Sequence, residues 1–509
     1  MTSGIHHVTG ITADVQANVD FYAGFLGLKL VKRTGGYADA EQLHLFYGDG
    51  LGSPGSLLTF LVWEATGRGR TGVGQLLEAP LAVPPATIGD WLTRGLSANI
   101  PVEGPLREFA EPVLRLKDPD GMIVKLVGLE MPTPAPRTGA PTRLRGVTVL
   151  TDKAEETEGF IARFGYRNEQ RDGLTRRMAS DTDVVDVREV SGFVPSAQGA
   201  GVPDHVAFRA RDADDVRSLR FSLKDYGPTE VHDRKYFLSL YVRDPAGILI
   251  EYATDGPGMT VDEAPGELGR TLFLPSRETA RREELKVMLP QFALPGEERF
   301  PMRELPFIHR FHRPEDPDGS TVVLLHGSGG NEADLMPIAR RIAPRATLLG
   351  VRGRSTEEGI NRWFRRFDAL TYDQSDLRSE AAAFAAFVEG AVNGYGLDAD
   401  KLTFLGYSNG ANLLAAVIQL HPGAVRRAML LRGLQALENP PPADLAGTKV
   451  LMLDGRNDPF AGKAPELRDA LQARGAEVAS RDLAADHELI EADITEAAEW
   501  FRRDLGAPP

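Results

Sequence analysis

An internal repeat in the first half of the chain constrains its fold more than any other feature. The segments LRLKDPDGMIVKLVG, Leu114 to Gly128, and LYVRDPAGILIEYAT, Leu240 to Thr254, both consist of a strand, a D-P-x-G turn and a second strand. The matching opening strands begin at Ile5, Gly74, Leu144 and Pro203. Residues 1–255 are therefore predicted to form four βαβββ modules of roughly 50 to 60 residues each.

The second half of the chain has a different pattern. The run TVVLLHGSGG leads from an apolar strand into a glycine-rich turn, and helical and strand patterns alternate after it. This alternation predicts a mostly parallel sheet with helices on both faces. Between the halves lies a segment rich in Pro, Gly and charge, which is interpreted as tail and linker and whose amphipathic stretch from Arg277 to Leu289 could pack back on the modules. The predicted fold class is α+β followed by α/β.

The domain boundaries follow from these patterns. A chain of 509 residues is too long for one hydrophobic core, so several domains are expected. We predict modules 1 and 2 in residues 1–130, modules 3 and 4 in 140–257, a tail and linker in 258–305, and the α/β domain in 306–509.

Composition excludes several classes of site and partner. Without cysteine, any metal must be bound by His and carboxylates. The net charge of −14 disfavours nucleic acid as a partner. No apolar run reaches the length of a membrane span, and the N-terminus lacks the pattern of a signal peptide, so a cytoplasmic protein without a membrane partner is expected. A homo-oligomer is compatible with these features.

Three side chains of the module half form a candidate metal site. His7 lies on the opening strand of the first module and His205 on that of the fourth, in the same register. Because neighbouring residues of a strand face opposite sides, His6 and His7 are not both expected to be ligands, and His6 is expected to support the site from outside or to be structural. Glu251, on the closing strand of the fourth module, completes the set. Two imidazoles and a carboxylate leave coordination positions open, which suits Fe(II) or Mn(II).

The other modules lack an equivalent set. The position that matches Glu251 in the second module holds Lys125, and a cation cannot be a metal ligand. The opening strands of modules two and three also contain no histidine. We therefore predict one metal site, built by modules one and four.

The module half resembles the vicinal-oxygen-chelate superfamily. The signature GIHHVTGI…FYAGFLGLKLVKRT…HLFYGDGLGSPGSLLTF covers most of the first module, and the resemblance extends to about residue 290. It is close to the ring-cleaving dioxygenases that act on hydroquinones. The resemblance implies Fe(II), with Mn(II) as the alternative, and a small aromatic diol and O₂ as substrates. Because lyases, isomerases and thiol transferases share this fold, the fold alone does not select the reaction.

A local pattern resembles the extradiol dioxygenases more specifically. The spacing H-x8-Y-x3-P-x-G-x3-E runs from His232 through Tyr241 to Glu251. The chain departs from the pattern at Glu230, where a small or apolar residue is preferred. Ring cleavage needs a group that takes a proton from the diol, and hydrogen-bond donors near bound oxygen. His44, on an interior strand of the first module, is the candidate acid–base group, and His232 and Tyr241 are candidate donors.

A nucleophile motif lies in the second half. G-Y-S-N-G, residues 406–410, stands between an apolar strand and an apolar helix. Small residues at Gly406 and Gly410 would let strand and helix cross closely, while Ser408 occupies a strained turn at the positive end of the helix. This context predicts a nucleophile elbow.

The partners of this serine are expected in the order acid, then histidine. Asp458 follows the strand VLMLDG, and His487 lies in ADHEL near the C-terminus. His487 would take the proton from Ser408, and Asp458 would hold the imidazole tautomer. Asp454, nearer the interior of the strand, is the alternative acid.

The glycine-rich turn completes the predicted hydrolase site. Within HGSGG, the Ser328 amide and the amide of Asn409 form a candidate oxyanion hole, and His326 is expected to support the loop. Residues 306–505 resemble the small carboxylesterase and phospholipase-like α/β-hydrolases through LLHGSGGNEADLMPIA, NRWFRRFD, GYSNGANL, GRNDPF and DHEL.

The predicted protein is a bifunctional enzyme. The first half would cleave a hydroquinone or catechol with O₂, and the second half would hydrolyse an ester or acyl bond, which an acyl product of ring opening could supply. Two alternatives stay open for the modules. They could form a metal-dependent lyase or transferase that resembles glyoxalase, or a non-catalytic unit that binds aromatic compounds.

Overall fold

The chain forms two compact units. The computed structural model describes residues 4–37, 39–192 and 194–505. The module unit comprises Met1–Ala280 and Phe292–Glu298, and the hydrolase unit comprises Arg281–Gln291 and Arg299–Pro509.

The module unit contains strands β1 to β17 and helices α1 to α4. Its strands are β1 (Ile5–Thr12), β2 (Lys29–Gly35), β3 (Leu43–Gly48), β4 (Leu57–Val62), β5 (Gln75–Val83), β6 (Val102–Glu108), β7 (Glu111–Lys117), β8 (Ile123–Gly128), β9 (Gly146–Thr151), β10 (Arg167–Asp172), β11 (Thr175–Ala179), β12 (Val184–Glu189), β13 (Pro203–Ala210), β14 (His232–Asp233), β15 (Phe237–Arg243), β16 (Leu249–Pro257) and β17 (Leu272–Phe273). Its helices are α1 (Val15–Val19), which continues into a π-helical turn (Asp20–Phe25), α2 (Ile88–Ser97), α3 (Ala154–Ile161) and α4 (Ala213–Ser222).

The four modules combine in two sheets. Each sheet joins one module from residues 1–130 to one module from residues 140–257. One sheet has the order β14-β15-β16-β13-β1-β4-β3-β2-β17 and joins the fourth module to the first. The other has the order β10-β11-β12-β9-β5-β8-β7-β6 and joins the third to the second. Strand pairing therefore crosses the boundary predicted between residues 130 and 140. The first sheet brings the candidate metal ligands of modules one and four together.

The D-P-x-G turns of the repeat have the same structure in both copies. Asp118 Oδ1 accepts hydrogen bonds from the amides of Gly121 and Met122, each 2.8 Å away. Asp244 Oδ1 accepts in the same way from the amide of Ile248, at 2.8 Å. A short carboxylate that satisfies successive amides stabilises a tight turn. These turns place β8 and β16 at equivalent positions in the two sheets.

The segment predicted as tail and linker contributes to both units. Its β17 pairs in parallel with β2, and Met259 and Leu268 are buried in the module core with Phe46 and Phe237. The amphipathic stretch forms α5 (Arg282–Met288), which packs against a helix of the hydrolase unit instead of the modules. The stretch is therefore divided: its first residues, to Ala280, belong to the module unit, whereas Val287 and Met288 of α5 are buried in the hydrolase core and do not pack back on the modules.

The hydrolase unit contains a mostly parallel sheet between two layers of helices. Its strands are β18 (His309–His312), β19 (Thr321–Leu325), β20 (Thr347–Val351), β21 (Ser355–Glu357), β22 (Ile360–Arg362), β23 (Leu402–Tyr407), β24 (Arg427–Leu431), β25 (Lys449–Gly455) and β26 (Glu477–Leu483). Its further helices are α6 (Met336–Ile342), α7 (Gln374–Tyr395), α8 (Asn409–Leu420), α9 (Ala464–Gln472) and α10 (Glu491–Leu505).

The sheet order in this unit is β18-β20-β19-β23-β24-β25-β26, with β18 as the antiparallel edge strand. Its two faces are buried in separate apolar clusters, one with α7 and α8 and the other with α5, α6 and α10. The predicted fold class, α+β modules followed by an α/β-hydrolase domain, is confirmed. Among the helices that the structure describes, none is both long and apolar enough to cross a membrane.

Candidate metal centre and candidate hydrolase triad

The predicted metal ligands lie together in the interior of the module unit. One ligand atom from each of His7, His205 and Glu251 lies within 4.8 Å of the other two, and all three residues are buried. Strand pairing explains the arrangement, because β13 is hydrogen-bonded to both β1 and β16. Glu251 Oε2 lies 2.9 Å from His7 Nε2 and 3.1 Å from His205 Nε2.

These groups fit a divalent cation. The other oxygen of Glu251, Oε1, is buried and has no hydrogen-bond partner among the described residues. Burial would raise the pKa of Glu251, but His7 and His205 hold this pKa well below its usual value, so the carboxylate is ionised. Burial lowers the pKa of His7, which favours a neutral imidazole. An ionised carboxylate beside imidazoles is the donor set that Fe(II) and Mn(II) accept.

Asp204 orients His205. The carboxylate Oδ2 lies 2.7 Å from His205 Nδ1, which leaves Nε2 facing Glu251. Burial lowers the pKa of His205, but the hydrogen bonds to Asp204 and Glu251 outweigh it and raise that pKa to about 9. A carboxylate behind a ligating histidine fixes the ring and raises its basicity. The sequence analysis did not select Asp204, although it directly precedes His205.

His6 is not among the candidate ligand residues, and it lies directly against His7. A β-bulge in β1 places Ile5 opposite Phe208 and His7 opposite Ala207, so strict alternation fails at His6. The Nδ1 atoms of the two histidines are 2.9 Å apart, and His6 also packs against Phe237. His6 therefore supports the His7 ring from behind, while His7 Nε2 faces Glu251.

His44 connects to the cluster through two threonine hydroxyls. Its Nε2 lies 2.9 Å from Thr59 Oγ1, which lies 2.8 Å from Thr9 Oγ1, and Thr9 Oγ1 lies 3.0 Å from His205 Nε2. Burial, with His7 and His205 nearby, lowers the pKa of His44 to about 3. Its ring is therefore neutral at pH 7. The hydroxyls of Thr9 and Thr59 were not predicted, although Thr9 shares a strand face with His7.

His232 and Tyr241 lie at the edge of the same site. The Tyr241 ring packs edge-on against His205, with centroids 5.5 Å apart, and the His232 ring lies 6.1 Å from Tyr241. Arg234, which the sequence analysis missed, reaches the Tyr241 hydroxyl at 3.5 Å, and its guanidinium lies 5.1 Å from the Tyr37 ring. Arg234 is thus a further donor beside Tyr241, and no sequence pattern indicated it.

The equivalent position in the other sheet holds an ion pair. Glu251 pairs with Ala207 in one sheet, and Lys125 pairs with Pro80 in the other, so Lys125 stands at the position of Glu251. Glu78 lies two residues before Pro80, as His205 lies two residues before Ala207. Glu78 therefore stands at the position of His205. Lys125 Nζ lies 2.6 Å from Glu78. The hydroxyl of Thr148 donates to Glu78 at 2.9 Å, as Thr9 contacts His205 in the first sheet. A buried ammonium thus occupies the place that a metal would need.

The predicted triad is assembled in the hydrolase unit. The Ser408 hydroxyl lies 3.0 Å from His487 Nε2, and His487 Nδ1 lies 2.8 Å from Asp458 Oδ2. The amide of Phe460 donates to Asp458 Oδ1 at 2.8 Å and fixes the carboxylate. Nucleophile, base and acid are therefore in hydrogen-bond contact in the order that acyl transfer needs.

Local sequence explains the position of Ser408. Its φ of 51° is in the left-handed region, which is a strained conformation for serine. At Gly410 a Cβ atom would lie 2.2 Å from the carbonyl oxygen of Leu325, and at Gly406 it would lie 2.8 Å from Ala411. Only glycine permits this close approach of α8 to β19 and β23.

The predicted oxyanion groups lie beside the nucleophile motif. Asn409 is the first residue of α8, so its amide belongs to the helix-terminal N–H groups without an intrahelical partner. Ser328 is exposed. The amide of the next residue, Gly329, already donates to the carbonyl oxygen of Asn361 at 2.8 Å. His326 accepts a hydrogen bond from the Gly353 amide at 3.0 Å, so it holds the glycine-rich loop.

Comparison with known proteins follows this division of the chain. Residues 4–126 match the model of the glyoxalase/bleomycin resistance protein/dioxygenase superfamily. MhqO of Bacillus subtilis, provisionally named a ring-cleaving dioxygenase, is 32% identical over 304 residues, which are 57% of this chain and 97% of MhqO. The chain belongs to this superfamily. A chlorohydroquinone/hydroquinone 1,2-dioxygenase of Sphingobium indicum is also 32% identical, over 56% of this chain and 95% of that protein.

The second half is similar to hydrolases. MhqD of B. subtilis, provisionally named a hydrolase, is 31% identical over 188 residues, which are 36% of this chain and 94% of MhqD. A carboxylesterase of Mesorhizobium loti is 40% identical over 41% of this chain and 99% of its own, with a TM-score of 0.39.

Among solved structures, a B. subtilis protein described as a provisional dioxygenase is 31% identical, with a TM-score of 0.55 over 58% of this chain and 98% of its own. The chain thus joins a unit that is similar to ring-cleaving dioxygenases to a unit that is similar to a hydrolase.

Proposed function

We propose that the module unit is an Fe(II)-dependent dioxygenase that cleaves the ring of a hydroquinone. The observation that supports this most directly is the buried His7, His205 and Glu251 cluster, which a hydrogen-bond chain joins to the neutral His44. The S. indicum relative, whose name specifies hydroquinones, supports this substrate class over catechols.

His7, His205 and Glu251 would hold Fe(II), with Mn(II) as the alternative, and the bound metal would supply the Lewis-acid and redox chemistry that the reaction of a diol with O₂ needs. His44 is the proposed acid–base group: its neutral ring can take up the proton of a diol that the bound metal would make more acidic. Arg234 and Tyr241, with His232, present donors toward negative charge that develops on oxygen. Cleavage breaks one ring carbon–carbon bond and places both atoms of O₂ in an unsaturated acid that carries an aldehyde or acyl group.

Oxygen consumption tests this proposal. Protein loaded anaerobically with Fe(II) is given methylhydroquinone or a matched catechol, and O₂ uptake is followed with an electrode. We expect uptake with methylhydroquinone that the variant His205→Ala loses. Verified metal occupancy without uptake on either diol would refute ring cleavage of these compounds, and uptake on the catechol alone would refute the assigned substrate class.

We propose that the hydrolase unit cleaves an ester or acyl bond with Ser408 as nucleophile. His487 removes the hydroxyl proton as Ser408 attacks the carbonyl carbon, and returns it to the leaving group. The amides of Ser328 and Asn409 stabilise the oxyanion. Water then releases the acid by the same sequence. The hydrogen bonds from Ser408 through His487 to Asp458 carry this proposal.

The two activities are proposed to act in sequence, since an acyl product of ring opening is a substrate for a serine hydrolase. Full-length Ser408→Ala protein should consume O₂ at the normal rate with methylhydroquinone, yet accumulate the ring-opened product. The wild-type chain should add water across the carbon–carbon bond next to the acyl carbonyl of that product, which gives two smaller products, one of them a new carboxylic acid. Identical product profiles by mass spectrometry in both proteins would contradict sequential action while leaving the separate activities intact.

A further inference from the structure

Three consecutive backbone carbonyls around the catalytic histidine are held by two side chains. The Arg432 guanidinium donates to the carbonyl oxygen of Asp486 through Nε at 3.0 Å and to that of Glu488 through Nη2 at 2.9 Å. Between them, the Tyr407 hydroxyl donates to the carbonyl oxygen of His487 at 3.0 Å. The segment that carries His487 lies after β26 and has no sheet pairing of its own. Hydrogen bonds from Arg432 and Tyr407 therefore hold this segment where strand–strand hydrogen bonds do not.

Arg432 also contacts the strand that leads to Asp458, and it directly follows the residue that holds the Ser408 amide. It directly follows β24, where the carbonyl oxygen of Leu431 accepts the Ser408 amide at 2.8 Å. Its own amide and its Nη1 both donate to the carbonyl oxygen of Leu453, on the strand that leads to Asp458, at 2.9 and 3.1 Å. The residue has a φ of 55°, a strained conformation that directs the side chain along this path.

The charge of Arg432 is compensated inside the protein. Asp493 accepts two hydrogen bonds from the guanidinium, 2.7 Å from Nη1 and 2.9 Å from Nη2, and both side chains are fully buried. All five N–H groups of the guanidinium are therefore used: two by Asp493 and one each by Asp486, Glu488 and Leu453. Lysine has three donors on one nitrogen and cannot reproduce this planar fork.

We infer that Arg432 is a positioning residue of the hydrolase reaction, which sets the imidazole of His487 between Ser408 and Asp458. The inference rests on the proposed triad. Arg432 does not touch substrate; it acts by fixing the backbone on both sides of the histidine, and Tyr407 fixes the carbonyl between them. Small displacements of a catalytic base reduce turnover strongly because proton transfer needs hydrogen-bond geometry.

The test compares two arginine-to-lysine variants of the full-length chain. Arg432→Lys removes the fork, whereas Arg427→Lys changes a buried arginine on the same strand whose guanidinium packs against Trp500 of α10. With p-nitrophenyl acetate, well below the unfolding temperature of each variant, we expect Arg432→Lys to lower kcat by about 10- to 100-fold with KM nearly unchanged. Arg427→Lys should lower thermal stability and leave kcat nearly as it is.

A second variant covers the case in which Arg432→Lys does not fold. Tyr407→Phe removes only the hydrogen bond to the His487 carbonyl, and it should lower kcat by about 3- to 10-fold without a change in KM. If Arg432→Lys folds and keeps its kcat, or if Arg427→Lys loses as much, the inference is wrong. If Arg432→Lys cannot be obtained folded, an unchanged kcat in Tyr407→Phe overturns it. Hydrolysis that persists in Ser408→Ala would instead refute the proposed triad itself.

Discussion

Two aspartates, four residues apart, differ in their relation to the hydrolase histidine. Asp458 follows β25 and contacts His487 Nδ1. Asp454 lies within that strand, paired in register with Asp482 of β26. Burial and the nearby charge of Asp482 raise the pKa of Asp454 to about 7, so it is a poor partner for an imidazolium. The geometry supports Asp458 as the acid of the triad.

Exchange of each aspartate for asparagine should separate the two residues. Asp458→Asn keeps the shape of the site but favours the wrong imidazole tautomer, and kcat for p-nitrophenyl acetate should fall by about 10⁴-fold. Asp454→Asn should change kcat by only a few fold, because its side chain does not reach His487. A comparable loss in both variants would contradict the assignment of the acid.

At the metal site, the carboxylate behind His205 should control affinity. Asp204→Asn weakens the hydrogen bond that orients the ring, so the affinity for Fe(II) should fall by about 10- to 100-fold. Anaerobic competition with a chromophoric chelator measures this directly, without reference to turnover. Asp181→Asn, which alters an exposed ion pair of the same unit, is the control and should bind metal as the wild type does. Equal affinity in all three proteins would show that Asp204 is not needed for orientation.

At the scale of elements, the two sheets of the module unit hold different polar groups at equivalent buried positions. One sheet places imidazoles and Glu251 at its centre, and the other places Glu78 and Lys125 at the equivalent positions. Arg115 adds a second cation beside Glu78, with Nε 2.7 Å from the carboxylate. In the second sheet, paired buried charges thus stand where the first sheet has its candidate metal ligands, and loss of one partner would leave the other charge uncompensated.

Loss of the ammonium should destabilise the module unit in a pH-dependent way. Burial alone would raise the pKa of Glu78, but Lys125 and Arg115 lower it below the ordinary value of 4.5. A carboxylate with a lowered folded-state pKa contributes stability above its unfolded pKa and loses it as pH falls through the folded value. Lys125→Met should therefore reduce the free energy of unfolding by about 3 kcal/mol at pH 7, and by less as the pH falls below about 4.5.

Guanidinium denaturation checks this prediction, with the module transition recognised by its shift when Fe(II) is added. Arg167→Met removes one partner of the exposed Arg167 and Asp181 pair and should cost no more than about 1 kcal/mol. A difference between wild type and Lys125→Met that stays constant with pH would indicate a packing effect without a role for Glu78.

Sequence patterns predicted the elements and site residues that follow strand register, turn motifs and known spacing. Register selected His7 and His205, and the elbow motif selected Ser408. The β-bulge at His6 could not be read from the sequence, because one extra residue in a strand leaves no signature in an apolar run. Arg234 escaped notice for a related reason, since its importance depends on contacts across strands.

At the scale of the whole molecule, helix α5 belongs to the hydrolase unit although the modules directly precede it in sequence. Val287 and Met288 are buried in the same apolar cluster as Met336 and Ala339 of α6. In the full-length chain, Val287→Asp should bury a charge in this cluster and lower the temperature at which esterase activity is lost. Oxygen uptake should keep its normal thermal profile.

A substitution on the exposed side of α5 provides the control. Lys286→Ala removes a half-exposed side chain that pairs with Glu283, and neither activity should change in its thermal profile. Loss of O₂ uptake together with esterase activity in Val287→Asp would contradict the assignment of α5 to the hydrolase unit alone.

The interlaced boundary between the units also limits how this protein can be divided. The chain leaves the module unit after Ala280, returns to it for Phe292–Glu298, and leaves it again at Arg299. A protease that cuts once in this region, or a gene split by one stop and one start codon, gives at least one fragment that lacks a segment of its own unit. Two intact enzymes would require the segment 281–291 to be encoded with the second and 292–298 with the first. Both units therefore keep all of their segments when residues 281–298 remain within one continuous chain.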